Sequence, residues 1–289
     1  MTFQTLLKNM NKKIVYINDF FLEDFVGGGE LNDHELLSML SKKYEVQKIR
    51  SNDVTIKFLQ ENKNSFFIIS NFINLKISCK DYINDLNYVI YEHDHKYLDS
   101  RNPALYNNFI APKENIVNYE FYKNAKAVIC QSEMHAEIVR KNLNLDNIIS
   151  IGGNLWSEQV LDLLEQYSKK PKLKKYSIMN SHIAHKNTID AIRYCKYKSY
   201  DYELINSCPY EEFLYKLGQN EGFVFFPKTP ETLSRIIVES RMMDMKVITN
   251  NLPGAVKEPW FKKRGVELIN IMRSKREEIP SKVLEIFRS

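Results

Sequence analysis

The chemistry of this sequence is most concentrated in one run, Phe225-Phe226-Pro227-Lys228-Thr229-Pro230-Glu231-Thr232-Leu233-Ser234-Arg235-Ile236-Ile237-Val238-Glu239. An apolar stretch with the look of a buried strand gives way to a proline-containing loop, and a helix is predicted to begin at or near Glu231. The first N–H groups of a helix have no intrahelical partner and lie at the positive end of its dipole. Here those of Leu233, Ser234 and Arg235 are the candidates, and the Arg235 guanidinium adds a full charge, an arrangement suited to phosphate. Glu231 and Glu239 are eight residues apart, a little over two turns of such a helix, so they share a similar face. A carboxylate one helical length from a phosphate site suits the two hydroxyls of a ribose. The competing reading makes Glu231 a complement to the dipole and Glu239 a surface charge.

Other runs carry weaker chemistry. Gly27-Gly28-Gly29-Glu30 follows a β-branched run, Lys13 to Asn18, but fails as a dinucleotide fingerprint because Asn32 holds the third glycine position. Glu92-His93-Asp94-His95 ends a predicted strand, Tyr88 to Tyr91. Neighbours on a strand point to opposite faces, which disfavours a metal site. From the residues alone the run then reads as a structural polar turn. Ser132 in Gln131-Ser132-Glu133 is placed to cap the next helix. Trp260-Phe261-Lys262-Lys263-Arg264 reads as a solvated turn around a half-buried Trp, or as a contact to anionic lipid or nucleic acid. The sequence has no Asp-x-Asp, no G-x-x-x-x-G-K and no G-x-S-x-G.

The elements that must position these residues come in two sets. In the first half, apolar runs at 14–18, 44–49, 66–70, 88–91, 127–130 and 148–151 alternate with helical patterns at 30–44, 114–125 and 133–143. The rhythm restarts after Gly152-Gly153-Asn154, a short helix at 155–167 and the basic, proline-broken run Lys169 to Lys175. Strands at 176–179, 202–206, 223–226 and 246–249 then alternate with helices at 188–196, 210–217 and 231–243. This pattern predicts an α/β chain of two Rossmann-like parallel-sheet domains facing a cleft. The boundaries are 1–153 for the first domain, 154–175 for a linker and 176–289 for the second, whose last helix is free to pack back on the first. No internal repeat is present.

Composition agrees with a soluble globular chain. The chain has 289 residues, 44% hydrophobic and 27% charged, which excludes a disordered or fibrous protein. No apolar stretch reaches the roughly 18 to 20 residues of a spanning helix, and the start, MTFQTLLKNMNKK, lacks the order of a signal peptide. Cys79, Cys130, Cys195 and Cys208 lie too far apart for a zinc or redox pair, so the expectation is a cytoplasmic protein with reduced thiols. The net charge of +5 is uneven, with 18 basic and 19 acidic residues through Ser150 and 23 and 17 after it. The basic half suits an anionic partner, or is simply a solvated lysine-rich surface.

On these residues the chain resembles the retaining glycosyltransferases of GT-B fold, in the large family that includes sucrose synthases and phosphatidylinositol mannosyltransferases. That family places Glu, seven residues, then Glu after a strand ending in Pro, as Pro227, Glu231 and Glu239 stand here. The segments Met242 to Thr249 and Asn250 to Glu258 resemble the strand and the glycine- and glutamate-bearing loop that follow. The resemblance spans roughly residues 12 to 260. It implies that Glu239 binds ribose and Glu231 the donor sugar, while Lys186, Arg235 and Ser234 hold the diphosphate. It also implies that Gly28 and Gly29 approach the donor phosphate, that His93 touches the transferred sugar, and that Glu30 and His95 lie on the acceptor side. Where the family has Gly-Arg this chain has Asn180-Ser181, and Asn187 replaces the glycine after the lysine.

The implied reaction moves a sugar from a nucleotide-diphosphate sugar, its co-substrate, with retention and with neither cofactor nor metal ion. The acceptor is a glycan, a lipid or DNA, with peripheral contact to an anionic membrane as a further expectation. Rival readings are a DNA-modifying glycosyltransferase, a nucleotide-sugar-binding module and a metal-free epimerase of the same fold. The second half is short by one strand–helix unit, since the strand at 202–206 leads through one helix to Phe223.

Overall fold

The computed structural model describes residues 13–288. They divide into two compact units: 13–131, 136–151 and 277–288 form the first, and 132–135 with 152–276 the second.

The first unit is built on a six-stranded parallel sheet, β1 (Ile14–Asn18), β2 (Val46–Arg50), β3 (Phe66–Ile69), β4 (Tyr88–Glu92), β5 (Val128–Cys130) and β6 (Ile148–Ser150), in the order β2-β1-β3-β4-β5-β6. β1, β3 and β4 are buried at every position, which is why they read as unbroken apolar runs rather than alternating ones. β2 is an edge strand whose Lys48 and Arg50 reach solvent. On one face of the sheet Val15, Ile17, Phe67, Ile69, Ile90 and Val128 share a core with α2 (Ile56–Glu61) and α3 (Ile77–Ile83) through Leu59, Cys79 and Ile83. Two more helices belong to this unit, α1 (Gly28–Leu40) and the short α4 (Tyr119–Lys123).

The second unit has four parallel strands, β7 (Leu173–Met179), β8 (Tyr202–Ile205), β9 (Asn220–Phe225) and β10 (Lys246–Thr249), in the order β10-β9-β7-β8. Phe223 and Phe225 pack with α6 (Glu158–Ser168), α8 (Tyr210–Leu217) and α9 (Arg235–Met242), and with the first half of α10 (Gly265–Arg288). The opposite face, Tyr176, Ile178 and Val224, is covered by Ala191 and Cys195 of α7 (Thr188–Tyr197). Leu161, Leu164 and Tyr167 of α6 lie in this core, so the 154–175 segment expected as a linker contributes packing to the second unit.

Two helices pass between units: α5 (Glu133–Leu143) after its first turn and α10 after Arg276. Ser132 caps α5 as expected, its Oγ accepting the His135 N–H at 3.2 Å.

Three local expectations are corrected. The helix expected over 231–243 begins only at Arg235, because Glu231 is held in a parallel bridge with Pro253 and Ser234 has φ 75°. The helix expected over 114–125 shrinks to α4, since Ile116 bridges Leu98 and Asn118 adopts φ 57°. Trp260 is 7% exposed rather than half-buried, and its Nε1–H donates to Gly152 O at 2.9 Å. Two of the three charges that follow it are paired, Lys263 with Glu267 and Arg264 with Asp244. Among the described residues no helix is long and apolar enough to cross a membrane.

Candidate functional site

In the second unit the loops at the carboxyl ends of β7, β9 and β10 converge. After β7, residues 184–186 form one 3-10 turn, and Asn187 ends it at φ 57°, ψ 47°. That backbone state favours glycine, with asparagine the best-tolerated substitute, so Asn187 can hold this turn where glycine would otherwise be expected. Its Nδ2 donates to Phe226 O at 2.8 Å and to Asp190 Oδ2 at 2.9 Å, tying the β7 loop to the end of β9.

Glu231 is placed by pairing rather than by a helix. Its N–H donates to Leu252 O at 3.0 Å and its C=O accepts from Gly254 N at 2.8 Å. A side chain at Gly254 would meet Thr232 O at 2.4 Å, so the close approach requires glycine. The result brings two sequence-predicted residues together: Lys186 Nζ donates to Glu231 Oε1 at 2.8 Å, with the side chains 26% and 14% exposed. Lys228, not singled out by the sequence, joins the same loops through its N–H to His185 O at 2.8 Å, and its side chain is exposed. Burial and the Lys186 charge hold the neighbouring His185 below the usual histidine range.

Arg235 and Glu239 lie apart from that pair. Both are buried, and Arg235 turns inward to donate from Nη1 to Leu155 O at 2.6 Å while stacking on Trp156. Glu239 Oε1 accepts from Trp156 Nε1 at 2.9 Å and Tyr210 OH at 2.6 Å, with Arg235 Nε 3.5 Å away. Glu231 and Glu239 therefore do not share a helix face. Ser234, the residue before α9, is buried at 7% exposure. Asn180 Nδ2 bonds Asn206 Oδ1 at 2.7 Å, and the Ser181 N–H is taken by Thr188 Oγ1 at 3.1 Å, which closes the start of the β7 loop.

The first unit has its own polar cluster where β1, β3, β4 and β5 end. Gly28 and Gly29 open α1, and the His93 ring lies 3.5 Å from where a Cβ on Gly29 would stand. His93 Nε2 bonds Asp33 Oδ1 at 2.6 Å, and its Nδ1 bonds the Gln131 amide. Asp33 Oδ2 accepts from Asn18 Nδ2 at 2.8 Å and from Ser70 Oγ at 2.6 Å. Burial alone would lower the His93 pKa, but the Asp33 carboxylate outweighs it and the value lies above the ordinary one. Both ring nitrogens are thus engaged within the unit. Asp33 and Gln131 went unnoticed in the sequence, yet Asp33 carried a signal. It falls on the buried face of α1 with Leu36, Leu37 and Leu40, where helical spacing calls for an apolar residue.

Glu30 lies at the start of α1, and burial raises its pKa. His95 points elsewhere: it is 3% exposed, its Nδ1 meets Tyr97 OH at 3.0 Å, and burial pushes its pKa down to about 4. Beneath both histidines Lys96 Nζ bonds Glu92 Oε1 at 2.8 Å and Asp94 Oδ1 at 2.9 Å, and Tyr122 OH donates to Glu92 Oε2. The run 92–96 is therefore a buried ion network with its two histidines facing different partners. No group of three or more His, Cys, Asp or Glu among the described residues is arranged to hold a metal ion.

No family model and no curated protein sequence matches the chain. Solved structures do. A glycosyltransferase from Rickettsia africae matches with a TM-score of 0.56 at 14% identity, over 96% of this chain and 98% of its own. The catalytic domain of starch synthase IV from Arabidopsis thaliana, bound to ADP and acarbose, matches at 0.57 and 10%, over 93% and 92%. Anabaena HepE in complex with UDP-glucose matches at 0.53 and 14%, over 93% and 92%. At these identities the likeness is one of fold: α/β, with two Rossmann-like parallel-sheet units, the architecture called GT-B.

Proposed function

We propose that this protein is a glycosyltransferase that takes a sugar from a nucleotide-diphosphate donor held in the second unit, with retention and without a metal ion. The observation that carries this reading is the Lys186–Glu231 pair, formed across 45 residues of sequence where strand ends and loops meet. The pair is partly exposed, so an incoming diphosphate can take Lys186 while Glu231 turns to the hydroxyls of the donor sugar. Lys228 from the adjoining loop adds a second cation. Fixed positive charge aimed at the departing diphosphate is the stabilisation such a transfer needs. The leaving phosphate then accepts the acceptor's proton on the face it departs from, which retains configuration. Trp156 and Tyr210 both donate to Oε1 of Glu239, so contact with a ribose falls to the other carboxylate oxygen or displaces the 2.6 Å Tyr210 bond. The three solved structures above support the reading at the level of fold, two of them in complexes containing ADP or UDP-glucose.

A thermal-shift panel of uridine, adenosine and guanosine diphosphates and their sugars tests it. At a hundredfold excess over Kd the matching nucleotide stabilises the protein by about 2.7 kcal/mol, and Lys186→Met is expected to abolish most of that gain. If no nucleoside diphosphate raises the melting temperature, the donor-site reading is wrong. Formation of a free epimer without an acceptor would identify an epimerase instead.

A further inference from the structure

We infer that the acceptor is an uncharged sugar residue, seated in a cavity of the first unit; this deepens the transferase reading and rests on it. The cavity, an open hollow of about 710 Å³, lies at the carboxyl ends of β1 to β4, lined by residues such as Asp19, Arg50, Asn71 and Asp94 that end or follow those strands. Strand order reverses between β1 and β3, and open α/β sheets bind ligands outside strand ends at such a point.

Its walls combine two features. Phe20, Phe25 and Ile73 line it while 51%, 60% and 52% exposed, three large apolar side chains left to solvent around one hollow. Carboxylates outnumber cations: Asp19, Asp24, Glu30 and Asp94 against Arg50 and Arg101, a formal −2. Both guanidinium groups are already bound inside the cavity. Arg50 bonds both oxygens of Asp24, at 2.5 and 3.2 Å, and Arg101 bonds Asp94 at 3.3 Å. Asp19 is held by Ser51 and by the N–H groups of Ile73 and Asn74. Glu30 has no cation among the lining residues and lies beside the His93–Asp33 pair.

A phosphorylated acceptor would have to displace a carboxylate for each guanidinium it gained, in a field of the wrong sign. A neutral pyranose needs no exchange. Its C–H face covers the phenylalanine rings, and its hydroxyls donate to carboxylates that only accept. In the transfer, an acceptor hydroxyl oxygen bonds to the anomeric carbon as that carbon's bond to the donor phosphate breaks. The hydroxyl proton leaves with the diphosphate.

Saturation-transfer NMR on the full chain, without nucleotide, tests the cavity separately from the donor site. The probes are p-nitrophenyl glucosides, galactosides and mannosides, set against glucose 1-phosphate and a thymidine decanucleotide. At least one neutral glycoside is expected to bind, and the phosphorylated probes at least tenfold more weakly. Phe20→Ala with Phe25→Ala is expected to reduce glycoside affinity at least tenfold, while Phe25→Trp retains it. Absence of glycoside binding, tighter binding of either phosphorylated probe, or insensitivity to the double substitution overturns the proposal. Failure of the nucleotide panel with glycoside binding intact would overturn only the donor reading.

Discussion

Each unit ends its strands on an ion pair of nearly the same length, 2.6 Å for His93–Asp33 and 2.8 Å for Lys186–Glu231. Their surroundings differ. The first pair is closed, with side chains 6% and 2% exposed and Gln131, Asn18 and Ser70 completing it. The second is open at 26% and 14%. A closed pair belongs to the fold, since losing one member strands the other away from water. An open pair can exchange its partner for a ligand at little cost. The second unit also holds a closed pair, Arg235–Glu239, within the very motif that spacing made most suggestive. Spacing identified the residues, and burial assigns their work.

Glu239→Ala should break this contrast most visibly. It leaves Arg235 without its carboxylate and the Trp156 and Tyr210 donors without their acceptor, a loss of about 3–5 kcal/mol in denaturant unfolding. Lys186→Met should cost under about 1 kcal/mol. Equal losses would refute the distinction between closed and open pairs.

Acid offers the next largest effect. His95 has a folded pKa of about 4 against about 6.5 unfolded. Below the unfolded value the unfolded chain binds more protons, so the stability His95 contributes is present above about pH 6.5 and lost as pH falls to about 4, roughly 3 kcal/mol in all. His93, raised by Asp33, acts oppositely: its contribution is present below about pH 6.5 and lost as pH rises through its folded value. His95→Phe should flatten the acid limb of stability against pH. An equally steep limb in the variant would refute the assignment.

A smaller effect than that of acid is expected at the loop that carries Lys186. Asn187→Ala places alanine at φ 57° and removes two side-chain bonds, for a loss of about 1–2 kcal/mol. Asn187→Gly should lose less, and a larger loss for glycine would show that the side-chain bonds outweigh the backbone.

The sequence revealed most where burial was complete. β1, β3 and β4 were legible because both faces are covered, so every position is apolar except Asn18 and Glu92, the last residues of β1 and β4. α2 and α3 escaped notice at six and seven residues, too short to display a period. α10 was expected as a last helix, but without bounds, since Pro280 in its interior and the charged run Arg273 to Glu278 blur its pattern. At the donor loop the residues were legible but their arrangement was not. Glu231 to Ser234 carry helical composition, yet a bridge to Pro253 and a left-handed Ser234 postpone the helix by a turn. Asp33 waited on the structure because its partner, His93, is 60 residues away.

The division of α10 has a consequence for biosynthesis. Phe287 stacks on Phe66 of β3 with ring centroids 4.2 Å apart, and Val283 and Leu284 are buried near it in sequence. The unit that begins first on the ribosome therefore cannot close its core until residues 277–288 have emerged, while the unit inserted within it has every strand already translated. An order inverse to ordinary N-to-C domain folding is therefore expected: nascent chains stalled before residue 277 should protect the second sheet from proteolysis and leave Phe66 uncovered.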